Sequence, residues 1–302
     1  MAAPARASTA RATSYPDALR EQVEGYLGGL RFATEPAAAG LDAAMRYSLL
    51  AGGKRVRPVI ALATARAIGL QADSVLATAA AIELVHTYSL IHDDLPPMDD
   101  DDLRRGRPTC HKVYGEDVAI LAGDGLYAEA FRLVLTEQAG DPERVLAVAH
   151  ELAVSTGVDG MVGGQYIDVA DTAPPGAEGL RRLHELKTGR LIGASVACVL
   201  LIAGMTEQAT LRFRRYAAEL GVLFQIVDDI LDVTGTEDAL GKPRGSDERH
   251  GKRTYVTEFG LDGARALAAE CHRSARDTLA RAAPQGAPEL EQITDFIYTR
   301  SS

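Results

Sequence analysis

Apolar residues recur along this chain at intervals of three and four, and strict apolar–polar alternation is nearly absent. The first period lines one face of a helix, and the second would line one face of a strand. The pattern predicts helices over 17–31, 37–50, 56–68, 73–94, 115–138, 142–156, 178–203, 207–234, 261–281 and 287–299. Alanine and leucine, both strong helix formers, fill these segments. Gly69, Gly140 and Gly204 follow helix ends, where glycine suits the left-handed turn, and Pro174-Pro175-Gly176 marks a loop. No Asn-Gly hairpin turn joins two apolar runs. The expected fold is all-α, a single-domain bundle of about ten or more helices. No linker, composition shift or repeat divides it, so 17–302 reads as one domain. Residues 1–16, rich in Ala, Pro, Ser and Thr, read as a disordered N-terminal tail.

Composition narrows the class. The chain has 302 residues, 46% hydrophobic and 25% charged, as ordinary globular proteins have. A net charge of −10 offers no basic face, so no nucleic-acid partner is expected. Cys110, Cys198 and Cys271 are too scattered for a disulfide framework or a zinc site. No h-region of a secretory signal opens the chain, and no apolar run reads as a membrane span, so a cytoplasmic location is expected.

Charge patterning singles out residues 93–102, where Asp93, Asp94, Asp99, Asp100, Asp101 and Asp102 place six carboxylates in ten positions. Arg104, Arg105 and Arg107 follow directly. Like charges this dense repel unless neutralised. A hard divalent cation such as Mg²⁺ would do so, and the arginine fork suits phosphate. The alternative is a solvated acidic loop. Pro96-Pro97 cannot continue a helix, and the turn they force can swing Asp99 back toward Asp93. His86, Ser89 or Leu90, and Asp93 share one helical face, so His86 is either a structural residue or part of the site.

A second acidic set lies downstream. Gln225, Asp228, Asp229 and Asp232 fall at i, i+3, i+4 and i+7 on a helix otherwise built of Leu223, Phe224, Ile226, Val227, Ile230 and Leu231. Carboxylates buried unpaired on such a stripe would cost several kcal/mol each, so a metal or active-site role is favoured. Gly53-Lys54 imitates a P-loop, but Ser48 and Arg55 stand where glycine and Ser/Thr are required. Lys54, Arg55 and Arg57 then form an anion site at a helix start or an exposed basic turn. Gly189 and Gly193 interrupt a helical pattern and predict a kink at Lys187-Thr188. Gly160, Gly163, Gly164, Gln165 and Asp168 precede it, and Lys242, Lys252 and Arg253 add loop cations.

Asp93-Asp94-x₄-Asp99 followed by Leu-Arg104-Arg105-Gly-Arg-Pro-Thr resembles the first aspartate-rich motif of the short-chain trans-prenyl diphosphate synthases. Asp228-Asp229-x-x-Asp232 resembles the second. Gly53-Lys54-Arg55-x-Arg57-Pro, Lys187-Thr188-Gly, Phe224-Gln225 and Gly241-Lys242 fit the same family in the same order, over about residues 17–300.

The resemblance implies a helical bundle around a central cavity, usually a homodimer. It implies that Mg²⁺, about three ions with Mn²⁺ as a substitute, is held by Asp93, Asp94, Asp99, Asp228, Asp229 and Asp232. Asp100 to Asp102 become rim charges. Arg104, Lys187, Lys242 and Lys252 would hold the allylic diphosphate, and Lys54, Arg57, His86 and Arg105 isopentenyl diphosphate. Lys187, Thr188 and Gln225 would face the developing carbocation. Tyr88 and Ser89, just before the first aspartate, would form the pocket floor. The aromatic Tyr88 favours farnesyl diphosphate as product, with geranylgeranyl diphosphate as the alternative. A terpene cyclase would need no isopentenyl site, and a non-catalytic subunit would have lost an aspartate motif. The family's basic C-terminal tail is reduced here to Arg300, which is assigned no role.

Overall fold

In the computed structural model, the described residues are 15–235 and 252–300. They form helices joined by short loops, as the periodicity predicts. In order these are α1 (Asp17–Gly29), α2 (Ala39–Leu49), α3 (Val56–Ala67), α4 (Leu76–Asp93), α5 (Cys110–Tyr114), α6 (Glu116–Glu137) and α7 (Pro142–Thr156). There follow α8 (Met161–Val169), α9 (Gly176–His184), α10 (Arg190–Ala203), α11 (Glu207–Thr234), α12 (Tyr255–Ala282) and α13 (Pro288–Thr299). A π-helical turn, Glu185–Gly189, joins α9 to α10.

The helix ends follow local chemistry. Asp141 accepts from the Glu143 and Arg144 amides at the start of α7, with Pro142 in the first turn. Thr206 caps α11, and Thr254 forms a reciprocal capping box with Thr257 at the start of α12. Gly204 closes α10 in the left-handed conformation.

Helix α4 runs through the middle of the core. Its residues from Ala77 to Val85 are buried on every side, which is why its sequence is apolar all round rather than amphipathic. Helix α10 is similar, with Leu191 and Ile192 and the stretch from Ala194 to Leu200 buried. Helix α4 packs on α6, α10 on α7 and α3, and α11 on α12. Burial of such all-apolar helices dominates the stability of the bundle.

Four expectations need correction. Residues 103–108 form a two-stranded antiparallel ribbon, Leu103–Arg104 against Arg107–Pro108, too short to show a period. Helix α8 occupies the glycine-rich stretch to which the apolar period assigns no helix. Helix α12 starts at Tyr255 and bends at Gly260, six residues before the predicted start. Three stretches, 72–93, 142–169 and 176–203, are long and apolar enough to cross a membrane by length and composition, against the reading that none is. Residues 1–14 of the expected tail lie outside the described residues.

Candidate active site

The turn after α4 performs the predicted return. The Asp99 amide donates to the Asp93 carbonyl over 2.8 Å, while the Met98 and Asp100 amides bond to the Leu95 carbonyl. Asp93 and Asp99 are thereby neighbours. Asp93 Oδ1 accepts from Gln165 Nε2 at 2.7 Å, and Asp99 Oδ1 from Lys252 Nζ at 2.8 Å. Burial pushes the Asp93 carboxyl up to about 6; Lys187 offsets part of that and the nearby Asp99 adds to it.

Asp94 behaves differently. It is buried, and both its oxygens accept from Arg104 Nε, at 2.7 and 2.9 Å, with Arg104 Nη2 at 2.6 Å. Of the expected rim charges, Asp100 and Asp102 are exposed, but Asp101 is buried and 3.9 Å from Arg104 Nη2. The ribbon at 103–108 accounts for this, because it folds Arg104 back under the acidic turn.

Along α11 the second acidic stripe also divides. Asp228 is half-exposed, and its Oδ1 lies 2.7 Å from Arg300 Nη2. Asp229 is buried; its Oδ1 accepts from Gln225 Nε2 at 2.8 Å and its Oδ2 from the Tyr255 amide at 2.7 Å. That amide belongs to the first turn of α12, where backbone donors lack partners and the helix dipole favours an anion. Asp232 is buried beneath them. Residues 252–255 touch both acidic sets, Lys252 at Asp99 and Tyr255 at Asp229, so the two sets share one site.

The kink predicted at Lys187-Thr188 is the π-turn, a local widening of the helix that recurs at functional sites. Two glycines let it fit. A Cβ on Gly164 of α8 would stand 2.3 Å from the Lys187 amide nitrogen, and one on Gly221 of α11 would stand 3.0 Å from Gly189 Cα. Lys187 Nζ pairs with Asp168 Oδ2 at 2.5 Å. Thr188 Oγ1 donates to Gln225 Oε1 at 2.9 Å. A relay therefore runs from Thr188 through Gln225 and Asp229 to the start of α12. It fixes the Gln225 amide and leaves the Thr188 lone pairs free of that bond.

A cavity of about 340 Å³ is lined by Arg57, His86, Arg104, Arg105, Asp228 and Arg300, among others. Arg57 Nη1 lies 3.3 Å from His86 Nε2 and its guanidinium 5.7 Å from the Phe224 ring; Arg300 sits over the same ring at 4.2 Å. Burial, and then the Arg57 cation, hold His86 well below its ordinary value. It is therefore neutral and accepts from Arg57. Arg105 Nη1 donates to the Gly52 carbonyl. Lys54 is exposed, with Nζ 5.3 Å from the Phe296 ring and 5.9 Å from the Tyr15 ring, and lines neither this cavity nor the next. Arg55 points inward instead, paired with Glu83 at 2.7 Å and Glu24 at 2.8 Å. Lys242 lies outside the described residues.

A larger cavity of about 620 Å³ shares Arg57, His86, Leu90 and Thr188 with the first and reaches Asp93 and Lys187. Its walls are mostly apolar. Tyr88 and Ser89 both line it. Tyr88 is buried and packs edge-on against His92 at 5.7 Å and Tyr127 at 5.0 Å, with Phe131 behind Tyr127 at 5.2 Å. Spacing gives Tyr127 and Arg300 no role, marks Phe224 only as part of the Phe224-Gln225 match, and names no partner for Gln165 or Asp168; tertiary packing brings all five to the site.

The architecture is a cation-lined cavity that shares walls with a larger apolar one, with Asp228 in the wall of the first and Asp93 in the wall of the second. The polyprenyl synthetase family model matches residues 38–288. Over 262 residues the chain is 46% identical to a chloroplastic geranylgeranyl pyrophosphate synthase of Capsicum annuum, covering 86% of this chain and 71% of that protein. Over 265 residues it is 46% identical to a farnesyl diphosphate synthase of Geobacillus stearothermophilus, covering 87% and 89%. The fold superposes with a TM-score of 0.83 on a Helicobacter pylori geranyltransferase complexed with magnesium and isoprenyl diphosphate, at 31% identity over 95% of this chain and 98% of that one.

Proposed function

This chain belongs to the polyprenyl synthetase family and is a prenyltransferase, and from that premise we propose that it condenses isopentenyl diphosphate with dimethylallyl and geranyl diphosphate to (E,E)-farnesyl diphosphate. The observation that carries the chain-length part is Tyr88, held rigid against His92 and Tyr127 in the wall of the apolar cavity. An aromatic ring clamped on two sides blocks a growing chain more firmly than a small or mobile residue. Geranylgeranyl diphosphate is the second reading. It is favoured by the equal identity to the Capsicum protein and by Ser89, a small side chain in the same wall that leaves room for a longer chain.

The carboxylates fit Mg²⁺. Asp93 and Asp99 are hard oxygen donors set side by side by their turn, and the Asp93 carboxyl, raised first by burial and then by Asp99, is one whose charged form a bound cation would stabilise. When bound by Asp93, Asp99 and Asp228, Mg²⁺ (three ions on the family's pattern) would neutralise charge on the leaving diphosphate. Asp94 and Asp229 serve by position, one holding Arg104 and the other Gln225.

The protein groups divide by substrate. Arg104, Lys187 and Lys252, with Lys242 on the family's pattern, hold the allylic diphosphate; Arg57, His86 and Arg105 hold isopentenyl diphosphate, and Lys54, expected with them, lines neither cavity. The allylic C1–O bond breaks, and its cation lies against the π-turn, facing the Lys187 carbonyl, Thr188 Oγ1 and Gln225 Oε1. The isopentenyl double bond attacks C1 through C4. A proton then leaves C2 of the isopentenyl unit for the departing diphosphate. The cavity's apolar walls keep water from the cation. For a homodimer, exposed Leu121 and Leu135 of α6 provide apolar surface for a second copy.

One assay addresses the reading. The protein is incubated with Mg²⁺, isopentenyl diphosphate and each allylic diphosphate in turn, and product length is read by chromatography. Fifteen-carbon product is expected. Twenty-carbon product would favour the second reading, and no Mg²⁺-dependent condensation would defeat both.

A further inference from the structure

A third cavity, about 240 Å³, lies on the far side of the π-turn, between α7, α10 and α11. Its walls include Glu151, Ser155, Glu185, Arg190, Gly193 and Arg214. Two carboxylates and two guanidiniums line it, equal in number, but only Glu151 and Arg214 pair with each other. Arg214 is held by both oxygens of Glu151, at 3.0 and 2.7 Å, and Glu185 is paired with Arg182 at 2.9 Å. That leaves Arg190, whose Nε is shut off from solvent and has no hydrogen-bond partner among the described residues. A guanidinium donor withdrawn from water without an acceptor is costly, and an oxyanion is the partner whose geometry its fork matches.

The room is provided by a missing side chain. A Cβ on Gly193 would meet nothing within 4 Å, so this glycine faces open space rather than a close neighbour. The volume is below that of drug-sized ligand pockets and suits a small ion. We infer that this cavity is a binding site for a phosphate-class oxyanion, held by Arg190 on the outer face of the π-turn. Inorganic phosphate and diphosphate share that chemistry. Three of the walls, Glu185, Gly189 and Arg190, belong to the turn or adjoin it, so the bound ion sits directly behind Lys187 and Thr188. The site does not depend on the proposed reaction, because none of its residues is assigned a role in it.

Calorimetric titration with inorganic phosphate, and separately with diphosphate, in EDTA tests this on the full-length protein. Active-site cations add a second event, so Arg57→Gln is run alongside. The event that survives in Arg57→Gln is expected to weaken at least tenfold in Arg190→Gln and in Gly193→Met. The first variant removes the charge and the second fills the space, and both are checked for a cooperative melt. Stronger binding of one titrant than the other identifies the preferred ion. An event that survives unchanged in either variant, or no event at all beyond the one Arg57→Gln removes, overturns the inference.

Discussion

Arg300 Nη2 lies 2.7 Å from Asp228 Oδ1, although 72 positions separate them. The same guanidinium stacks on Phe224 and lines the cationic cavity. In that cavity, beside Arg57 and Arg105, the Arg300 guanidinium can turn from Asp228 to a diphosphate oxygen; a charge-assisted bond to the substrate contributes about 1.5–3 kcal/mol, so Arg300→Ala should raise the KM for isopentenyl diphosphate roughly 10- to 100-fold. Arg300→Lys should recover part of the loss. Steady-state kinetics with the allylic substrate saturating will show it; an unchanged KM would remove Arg300 from substrate binding.

Tyr88 predicts the product. Tyr88→Ala should shift the main product beyond fifteen carbons, and adding Tyr127→Ala should lengthen it further, because Tyr127 stands behind the first ring. Large-to-small changes at buried aromatics cost about 3–5 kcal/mol, so the melting temperature should fall as well. Product that still stops at fifteen carbons in the single variant would show that Tyr88 is not the floor.

The first two aspartates should part company on mutation. Asp94→Ala strands the Arg104 guanidinium, and breaking a buried pair costs about 3–5 kcal/mol. Asp93→Asn leaves the fold in place and should abolish most Mg²⁺ binding, with little change in the melt. Calorimetric Mg²⁺ titration and thermal denaturation of both variants separate the two roles. Equal loss of Mg²⁺ binding in both would make Asp94 a ligand too.

Gly164→Ala probes the π-turn. The added Cβ would press on the Lys187 backbone, which cannot swing aside as a long side chain could. A misplacement near 1 Å can cost on the order of 100-fold in rate. The expectation is a kcat reduced by at least about tenfold with KM changed far less. Wild-type kcat would mean the turn's position does not matter.

The imidazole of His86 gives a pH dependence. Burial, and then Arg57, hold it well below the usual value, so the unfolded chain takes up a proton near pH 6.5 that the native state refuses. Stability is then lost as pH falls below about 6.5. His184, held down to about 4 by burial, acts with the same sign. The melting temperature of the ligand-free protein should drop from pH 7 to pH 5, and His86→Gln should flatten the drop. An identical slope in the variant would place the effect elsewhere.

Much of this site could be read from spacing. The i, i+3, i+4, i+7 stripe put Gln225 and the three aspartates on one face, and Pro96-Pro97 forced the return of Asp99. Two glycines in a helical pattern announced the kink. Spacing places a side chain on a face but does not name its partner. By spacing Asp229 is equivalent to Asp228, yet the Tyr255 amide and Gln225 take up both its oxygens. Arg300 was invisible because its partner is reached only through tertiary packing. Helix α8 was missed because Gly160, Gly163 and Gly164 lower its intrinsic propensity, and the close packing that they permit is a tertiary fact.

Around the site, carboxylates rest on the chain's own cations: Lys252 on Asp99, Arg300 on Asp228, Lys187 on Asp168. Loading is therefore an exchange of partners rather than the filling of a charged void. A divalent ion that takes Asp99 and Asp228 releases Lys252 and Arg300, and those released cations are groups a diphosphate needs. Each ligand prepares the other's site, so by linkage metal and diphosphate must strengthen each other's binding by the same factor. A metal or a diphosphate that arrives alone must break such a pair without the other's help, and therefore binds more weakly than when both are present.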